Sequence, residues 1–258
     1  MAESQSLQES EIQVRADLSA FYRLMAHFSM TDLIDTHISA RIPGAPNHFL
    51  INRYGILFDE MRPEDLVKID LDGNVIDDLS PEMSRINLAG FTIHSAIHEA
   101  RHDLACVIHT HTPDGIAVSC QEQGLLPISQ HALKFYNRIA YHDYQGVAID
   151  IAERESLVRD LGSHDVMILR NHGLVAAGRS IPRAFQNIMF LERACQVQIK
   201  ALSGGSKITI PSPEVCKLAG DQGADRRPRR QRDRPRHGRD ERHLQLYPDA
   251  DGECGPHL

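Results

Sequence analysis

The stretch that decides the fold is ACVIHTHTPD, residues 105–114. Its first four residues are small or β-branched and apolar, which predicts a buried strand. The strand runs directly into His109 and His111. Because residues i and i+2 of a strand point to one face, the two imidazoles would project together. They could supply half of a divalent-metal site, but a pair of solvated or hydrogen-bonded histidines fits the same short pattern.

A later strand offers a third histidine. Residues 166–169 predict a buried strand that runs into Asn171-His172-Gly173, and residues 174–177 are predicted to continue it. Gly173 would let the backbone turn away or approach a ligand closely. Ligands at the ends of neighbouring strands can converge. His172 is therefore the candidate partner of His109 and His111.

A competing metal motif lies upstream. Residues 98–102, His-Glu-Ala-Arg-His, satisfy H-E-x-x-H, the motif of helical zinc proteases, and His94 precedes them by one turn. A protease also needs a third ligand from a later segment, and Asp103 ends the predicted helix directly after His102. A solvated or hydrogen-bonded helix face is therefore the preferred interpretation of His98 and His102.

Hydrophobic periodicity predicts strands and helices on both sides of the central stretch. The predicted strands cover residues 36–41, 48–52, 66–69, 75–76 and 139–144, and the first four form two hairpins. The predicted helices cover residues 14–29, 90–101, 153–161 and 182–202, and another begins at Pro113 with Thr112 as its cap. Early hairpins followed by alternating helices and strands predict an α/β fold with a mixed sheet covered by helices.

Composition is that of a soluble globular protein. The 258 residues can form one domain with a full core, with 41% hydrophobic and 24% charged residues. No apolar run of about 18 residues predicts a membrane span, and the N-terminus lacks the features of a signal peptide, so we expect a cytoplasmic protein. Five cysteines without C-x-x-C spacing predict neither disulfides nor a thiolate zinc site. A net charge of −7 disfavours nonspecific nucleic-acid binding.

The two ends differ from the middle. Residues 1–13 predict a flexible leader before a domain at 14–215. Residues 216–258 predict a disordered tail, because nine arginines and three acidic residues between Arg226 and Arg242 show no apolar periodicity. A basic arm for nucleic acid or acidic lipid is one alternative for this tail. The abrupt change in composition after Ala219 would also fit an ending that is not native.

Three stretches together resemble one known family. They are NLAGFTIHSAIHEARHDLACVIHTHTPDGIAV (87–118), MILRNHGLVAAG (167–178) and AFQNIMFLERACQ (184–196), and they are similar to the class II aldolase/adducin family. The resemblance covers about residues 15–215. It implies a three-layer α/β/α domain around a mixed, largely antiparallel sheet, a homotetramer, and a divalent-metal site near a subunit boundary. His109, His111 and His172 match the family's three metal-binding histidines, and we expect Zn²⁺ there.

The chain departs from the family's sugar-phosphate aldolases where they bind substrate. Those enzymes carry Ser-Ser-Glu where this chain has Leu88-Ala89-Gly90, a Thr-Gly phosphate contact becomes Tyr54-Gly55, and an early Asn becomes His37. A phosphorylated sugar is therefore not expected. His131 aligns with the catalytic Glu of the family's methylthioribulose-phosphate dehydratase. It is the candidate acid/base or fourth ligand, with a hydrogen-bonded loop histidine as the alternative.

The sequence thus predicts a divalent-metal-dependent aldolase or lyase that acts on a small hydroxy-carbonyl or carboxylate substrate. The ion would stabilise the enediolate that forms when a C–C bond breaks or an α-proton leaves. Aldol cleavage, decarboxylation and dehydration share that step, so the motif does not name the reaction. The alternative is a non-catalytic module, like the adducin head, that works through oligomerisation or partner binding.

Overall fold

An eight-stranded sheet forms the middle layer of the structure, a computed structural model that describes residues 2–77, 86–146 and 151–224. Its strands are β1 (His37–Ile42), β2 (Ala45–Asn52), β3 (Leu66–Asp70), β4 (Val75–Asp77), β5 (Cys106–Thr110), β6 (Ile139–His142), β7 (Val166–Leu169) and β8 (Gly173–Gly178). Their order is β4-β3-β2-β1-β5-β8-β7-β6. In this part of the chain β6 and β7 are parallel and the other neighbours antiparallel, which confirms the predicted mixed sheet.

Helices cover both faces of the sheet. They are α1 (Ala2–His27), α2 (Leu88–Ala100), α3 (Pro113–Ser119), α4 (Gln130–Leu133), α5 (Ile151–Leu161), α6 (Ile181–Ser203) and α7 (Pro213–Ala224). Ile108 of β5 joins the core beneath α1 and α6, whereas Val107 joins the core beneath α2 and α5. Successive residues of one strand thus enter opposite cores, because the strand is pleated. This is the expected three-layer α/β/α arrangement.

The segment predicted as one continued strand forms two strands. β7 and β8 pair antiparallel, with Leu169 opposite Gly173, so the chain reverses through residues 170–172. Asn171 has a φ of 56°, a left-handed conformation that Asn tolerates better than most residues. The prediction failed because both strands are apolar and only three residues separate them. The reversal places His172 at the tip of a tight turn, beside the end of β5.

The first helix starts earlier than predicted and includes most of the residues assigned to a flexible leader. Glu11 pairs with Arg15 at 2.9 Å, one helical turn away, and with Lys68 of β3 at 2.8 Å. Pairs at i and i+4 stabilise a helix by about 0.2–0.5 kcal/mol each. These polar contacts continue the helix where an apolar stripe is missing, and apolar periodicity alone does not reveal them.

The C-terminal segment is ordered further than predicted. Helix α7 includes residues 216–224, which were assigned to the tail, and Cys216 on this helix is 1% exposed. The helix packs against α4. The Arg-rich run from Arg226 onward lies outside the described residues, so its disorder stays a prediction.

The structure agrees with the prediction for the cysteines and differs at the predicted cap of α3. Cys106, Cys120, Cys195 and Cys216 are free thiols, as predicted, and Cys254 lies outside the described residues. Thr112 is at the N-cap position before Pro113, but its hydroxyl donates to Glu192 of α6 instead of capping the helix.

Within the described ranges, no helix is both long and apolar enough to cross a bilayer.

Candidate metal centre

Three imidazoles meet at one edge of the sheet. His109 and His111 lie at the end of β5, and His172 comes from the turn between β7 and β8. The Nε2 atoms of His109 and His111 are 2.7 Å apart, those of His111 and His172 are 3.0 Å apart, and those of His109 and His172 are 3.3 Å apart. Because Thr110 of β5 pairs with Leu174 of β8, strand register alone carries the turn to this position. The three predicted ligands are thereby brought together.

The rings are held in an orientation that suits a cation. Nδ1 of His109 lies 3.0 Å from the carbonyl oxygen of Leu174, and Nδ1 of His111 lies 3.1 Å from Oδ2 of Asp32. Carbonyl and carboxylate oxygens only accept, so each Nδ1 donates and each Nε2 keeps its lone pair. Lone pairs this close repel unless a positive charge lies between them. The donor set therefore fits a divalent ion held by three imidazole nitrogens.

Burial keeps these ligands in their binding form. It lowers the pKa of His172 to about 4, and the nearby His111 adds to this effect. Burial also lowers the pKa of His109 well below its ordinary value, with repulsion from His37 and His111 adding to it. A neutral imidazole is the form that binds a metal. At neutral pH His109 and His172 therefore need not lose a proton first.

Asp32 lies outside the three-histidine cluster and contacts Nδ1 of His111. In an Asp32→Ala variant, metal affinity should fall by about 10–100-fold, because the carboxylate holds the ring of His111 in its orientation. Competition with a chromogenic chelator measures the change. Asp35→Ala is the matched control, since Asp35 is an exposed carboxylate three residues further along the same loop. Equal affinities in the two variants would contradict this role for Asp32.

The H-E-x-x-H motif does not form a second metal site. His98 is fully buried on the sheet side of α2, whereas His102 lies beyond Ala100, the last residue of the helix, and is exposed. The two rings therefore lie in different environments. The hydrogen-bonded interpretation is correct for His98, and the solvated one is correct for His102.

A second set of histidines lies behind the metal centre, and sequence reasoning missed it. Nδ1 of His37 is 2.7 Å from Nε2 of His94. The hydroxyl of Ser39 bridges His94 Nδ1 at 2.5 Å and His98 Nε2 at 2.8 Å. The ring of His37 packs against His109, with centroids 5.1 Å apart. The available signals were the alternation of polar residues along β1 and the one-turn spacing of His94 and His98 on α2.

Gly90 makes room for His37. A Cβ atom at Gly90 would lie 2.4 Å from Cδ2 and 2.7 Å from Nε2 of that ring. Contacts this short are not tolerated, so a side chain at residue 90 and the observed position of His37 exclude each other. Gly90 and His37, two of the positions at which the sequence is expected to depart from the sugar-phosphate aldolases, are thus linked by their shape.

The close contact between Gly90 and His37 should affect the stability of the fold. Gly90 is the third residue of α2, and alanine usually stabilises a helix by up to about 1 kcal/mol relative to glycine. Gly90→Ala should instead lower the free energy of unfolding by about 1–3 kcal/mol, because the methyl overlaps the imidazole. Urea unfolding of the metal-free protein measures this. In a His37→Ala background the same change should be neutral or stabilising, and a similar loss in both backgrounds would show that the clash is not the cause.

His131 is not part of the three-histidine cluster. It lies on α4, and its ring centroid is 5.5 Å from that of Phe190 on α6. Among the described residues, the gathered ligand atoms belong to His109, His111 and His172. The predicted acid/base or ligand role of His131 therefore stays a prediction.

Comparison with known proteins supports the family resemblance. Residues 16–199 match the profile of the family described as the class II aldolase and adducin N-terminal domain. A Caulobacter vibrioides protein, provisionally named an aldolase class 2 protein, is 50% identical over 208 residues, which are 81% of this chain and 80% of that protein. Alpha-adducin of Rattus norvegicus is 43% identical over 203 residues, which are 78% of this chain but 27% of that protein.

Solved structures agree. An aldolase II superfamily protein from Pseudomonas syringae is similar with a TM-score of 0.80 and 54% identity, over 83% of this chain and 86% of that one. The L-fuculose 1-phosphate aldolase from Glaciozyma antarctica is similar with a TM-score of 0.76 and 26% identity, over 84% and 83%. The profile match and the relatives both cover most of the chain. This chain therefore belongs to the class II aldolase and adducin N-terminal domain family.

Proposed function

We propose that this chain is a metal-dependent lyase of the aldolase type that acts on small hydroxy-carbonyl or hydroxy-carboxylate compounds without a phosphate group. The main support is the convergence of three Nε2 atoms within 3.3 Å, with two of the opposite ring nitrogens engaged by acceptors. A protein that served only as a scaffold would have no physical reason to gather unprotonated imidazole nitrogens. Three imidazoles with an open position are typical of catalytic Zn²⁺ sites, and we propose Zn²⁺ as the ion.

In the proposed enzyme, some residues would bind the ion and others orient the binding residues. His109, His111 and His172 would hold the ion, and Leu174 and Asp32 orient two of those rings. A bound divalent ion supplies positive charge that polarises a carbonyl oxygen and stabilises negative charge as an enediolate develops. This chemistry is common to aldol cleavage, decarboxylation and dehydration.

The substrate class follows from what the chain lacks. The related fuculose-phosphate enzyme acts, by its name, on a sugar phosphate. Here residues 88–90 are Leu-Ala-Gly, which offer no hydroxyl or carboxylate side chain, and His37 fills the space next to Gly90. A buried imidazole in this place suits a small substrate whose oxygens accept hydrogen bonds. We therefore place unphosphorylated hydroxy-keto acids and hydroxy-aldehydes first among its substrates.

Exchange of the α-proton tests the proposal without knowledge of the overall reaction. Zn²⁺-loaded protein is incubated in D₂O with dihydroxyacetone, glyceraldehyde and hydroxypyruvate, and ¹H NMR follows loss of the α-proton signal. We expect exchange above the background of the His109→Ala/His111→Ala variant for at least one compound. If the wild-type protein carries a full complement of metal and no compound exchanges above that background, the lyase proposal fails.

The second candidate is the non-catalytic module, and the identity of 43% with alpha-adducin favours it. Such a module would work through oligomerisation or binding of a partner and would need no bound metal. Metal analysis after growth in metal-supplemented medium separates the two candidates. A chain that carries no divalent ion under those conditions would fit the module and not the enzyme.

We also propose a cytoplasmic homotetramer without nucleic-acid partners. Leu33 is 72% exposed next to Asp32, which contacts His111, so the surface beside the three histidines carries a large exposed apolar side chain. A subunit boundary at this position would bury that surface. Light scattering should give about four times the chain mass of 29.0 kDa, and a Leu33→Asp substitution should shift the protein toward smaller species.

A further inference from the structure

A buried chain of hydrogen bonds runs between β1 and α2 from Arg41 to the metal centre. His37, Ser39 and Arg41 alternate along β1 and face α2, and His94 and His98 are one turn apart on α2. The links are Arg41 Nη2 to His98 Nδ1 at 3.4 Å, His98 Nε2 to Ser39 Oγ at 2.8 Å, Ser39 Oγ to His94 Nδ1 at 2.5 Å, and His94 Nε2 to His37 Nδ1 at 2.7 Å. The three rings are at most 2% exposed.

Arg41 determines which atoms donate and which accept in the first hydrogen bonds of the chain. A guanidinium has five donors and no acceptor, so a proton on His98 Nδ1 would point at a positive charge. The neutral ring of His98 therefore accepts at Nδ1 and carries its proton on Nε2, which donates to Ser39. With its oxygen accepting from His98, Ser39 directs its own hydroxyl proton to Nδ1 of His94.

The same direction continues to the metal centre. Because Nδ1 of His94 accepts from Ser39, its proton is on Nε2 and donates to Nδ1 of His37. A charged imidazole donates from both ring nitrogens, so a ring whose Nδ1 accepts a hydrogen bond is neutral. Each ring thus carries one proton. In His37 that proton remains on Nε2, which lies on the edge of the ring that faces Gly90.

We propose that this chain makes His37 a fixed hydrogen-bond donor to a substrate oxygen at the metal centre, with Arg41, His98, Ser39 and His94 as positioning residues. His37 packs against His109, one of the three gathered histidines. A donor whose direction is set before the substrate arrives stabilises developing negative charge without reorganisation. The substrate contact rests on the proposed function, whereas the pattern of protons along the chain does not.

The proton pattern is tested directly. Solid-state ¹⁵N NMR of protein labelled at histidine distinguishes a proton on Nε2 from one on Nδ1, and single His→Gln variants assign the signals. We expect His37, His94 and His98 all to be neutral with the proton on Nε2. A proton on Nδ1 of His37, or a charged His37 at neutral pH, would overturn the proposal whether or not the protein binds metal.

Two variants of Arg41 test its control of the direction. Arg41→Lys keeps a group that only donates, so the Nε2 pattern should persist. Arg41→Met removes the charge and the donors, so a population of His98 with its proton on Nδ1 should appear. An unchanged pattern in Arg41→Met would overturn the assignment of direction to Arg41.

The substrate contact is tested by binding. Acetohydroxamate, whose two oxygens resemble those of an enediolate, is titrated into Zn²⁺-loaded protein by calorimetry, with metal content measured for each sample. His37→Gln keeps a donor near the position of Nε2, and His37→Phe keeps a ring without one, while both lose the acceptor for His94. We expect affinity within about threefold of wild type for Gln and at least about tenfold weaker binding for Phe.

The possible outcomes separate the two proposals. Equal affinity in wild type, His37→Gln and His37→Phe at equal metal content would overturn the donor role. Where the Phe variant does not fold or load metal, His37→Met serves as the non-donor of similar size, with the same expectation. A wild-type chain that binds no metal would defeat the proposed function and with it the substrate contact, and the NMR experiment would still decide the direction of the chain.

Discussion

Replacing His109 and His111 together by alanine should abolish the metal binding proposed for this chain and leave the fold intact. Loss of an outer partner costs a metal site about 10–100-fold in affinity, and loss of two direct ligands costs more than that. The fold should survive because the two rings lie at the end of β5 and belong to neither hydrophobic core, and their crowded Nε2 atoms repel each other without a cation. Metal analysis should give one divalent ion per wild-type chain and a small fraction of that in the variant.

Thermal unfolding gives a second measurement of the same effect. A ligand at about 100 times its dissociation constant stabilises a folded protein by about 2.7 kcal/mol. EDTA should therefore lower the melting temperature of the wild type and leave that of the double variant unchanged. His102→Ala is the control, because it alters the exposed histidine of the H-E-x-x-H motif and should behave like wild type. Full metal content in the double variant would contradict the assignment of His109 and His111 as ligands.

Gly173→Ala should lower the free energy of unfolding more than Gly90→Ala does. A Cβ atom at Gly173 would lie 2.3 Å from the backbone carbonyl oxygen of Thr110 and 3.2 Å from Cδ2 of His111. Unlike a side chain, the carbonyl cannot move aside, because β5 and β8 are paired at this point. Separating them would break strand hydrogen bonds. We expect the free energy of unfolding to fall by about 3 kcal/mol, at the upper end of overpacking effects.

The control is a glycine in open space. A Cβ atom at Gly204, the residue after α6, would meet nothing closer than Oγ of Ser206 at 4.0 Å, so Gly204→Ala should change stability by no more than about 0.5 kcal/mol. Urea unfolding of both variants measures the difference. Gly173→Ala should also weaken metal binding, because the substitution displaces the turn that carries His172. Equal stability of the two variants would show that β5 and β8 can separate without cost.

Much of the fold could be predicted because strand and helix patterns are local. The apolar run before His109 and the helical spacing of the segment at 182–202 both appear in the structure as β5 and α6. Errors occurred where local signals conflict or are absent. The β7–β8 turn contains no proline, and Asn171 was its only turn signal before Gly173. The early part of α1 includes Glu11, whose contact with Lys68 joins residues 57 positions apart.

The candidate metal centre was predictable for a different reason. His109 and His111 lie on one strand end, and the similarity of Asn171-His172-Gly173 to the family motif supplied the third position. The contact of His37 with His94 could not be predicted in this way. Those residues are 57 positions apart, and periodicity places each on a face without showing that the two faces meet.

By itself, the sequence determined which side chains are able to hold a cation and which family the chain resembles, because both depend on residue identity at short spacing. Only the tertiary structure decided that Gly90 and His37 are one feature, since their relation is an overlap of atoms between β1 and α2. It also decided that the polar groups from Arg41 to His37 form a single hydrogen-bonded chain. Direction along a hydrogen-bonded chain depends on which groups touch, and contact is set by the order of the strands and the packing of α2 on them.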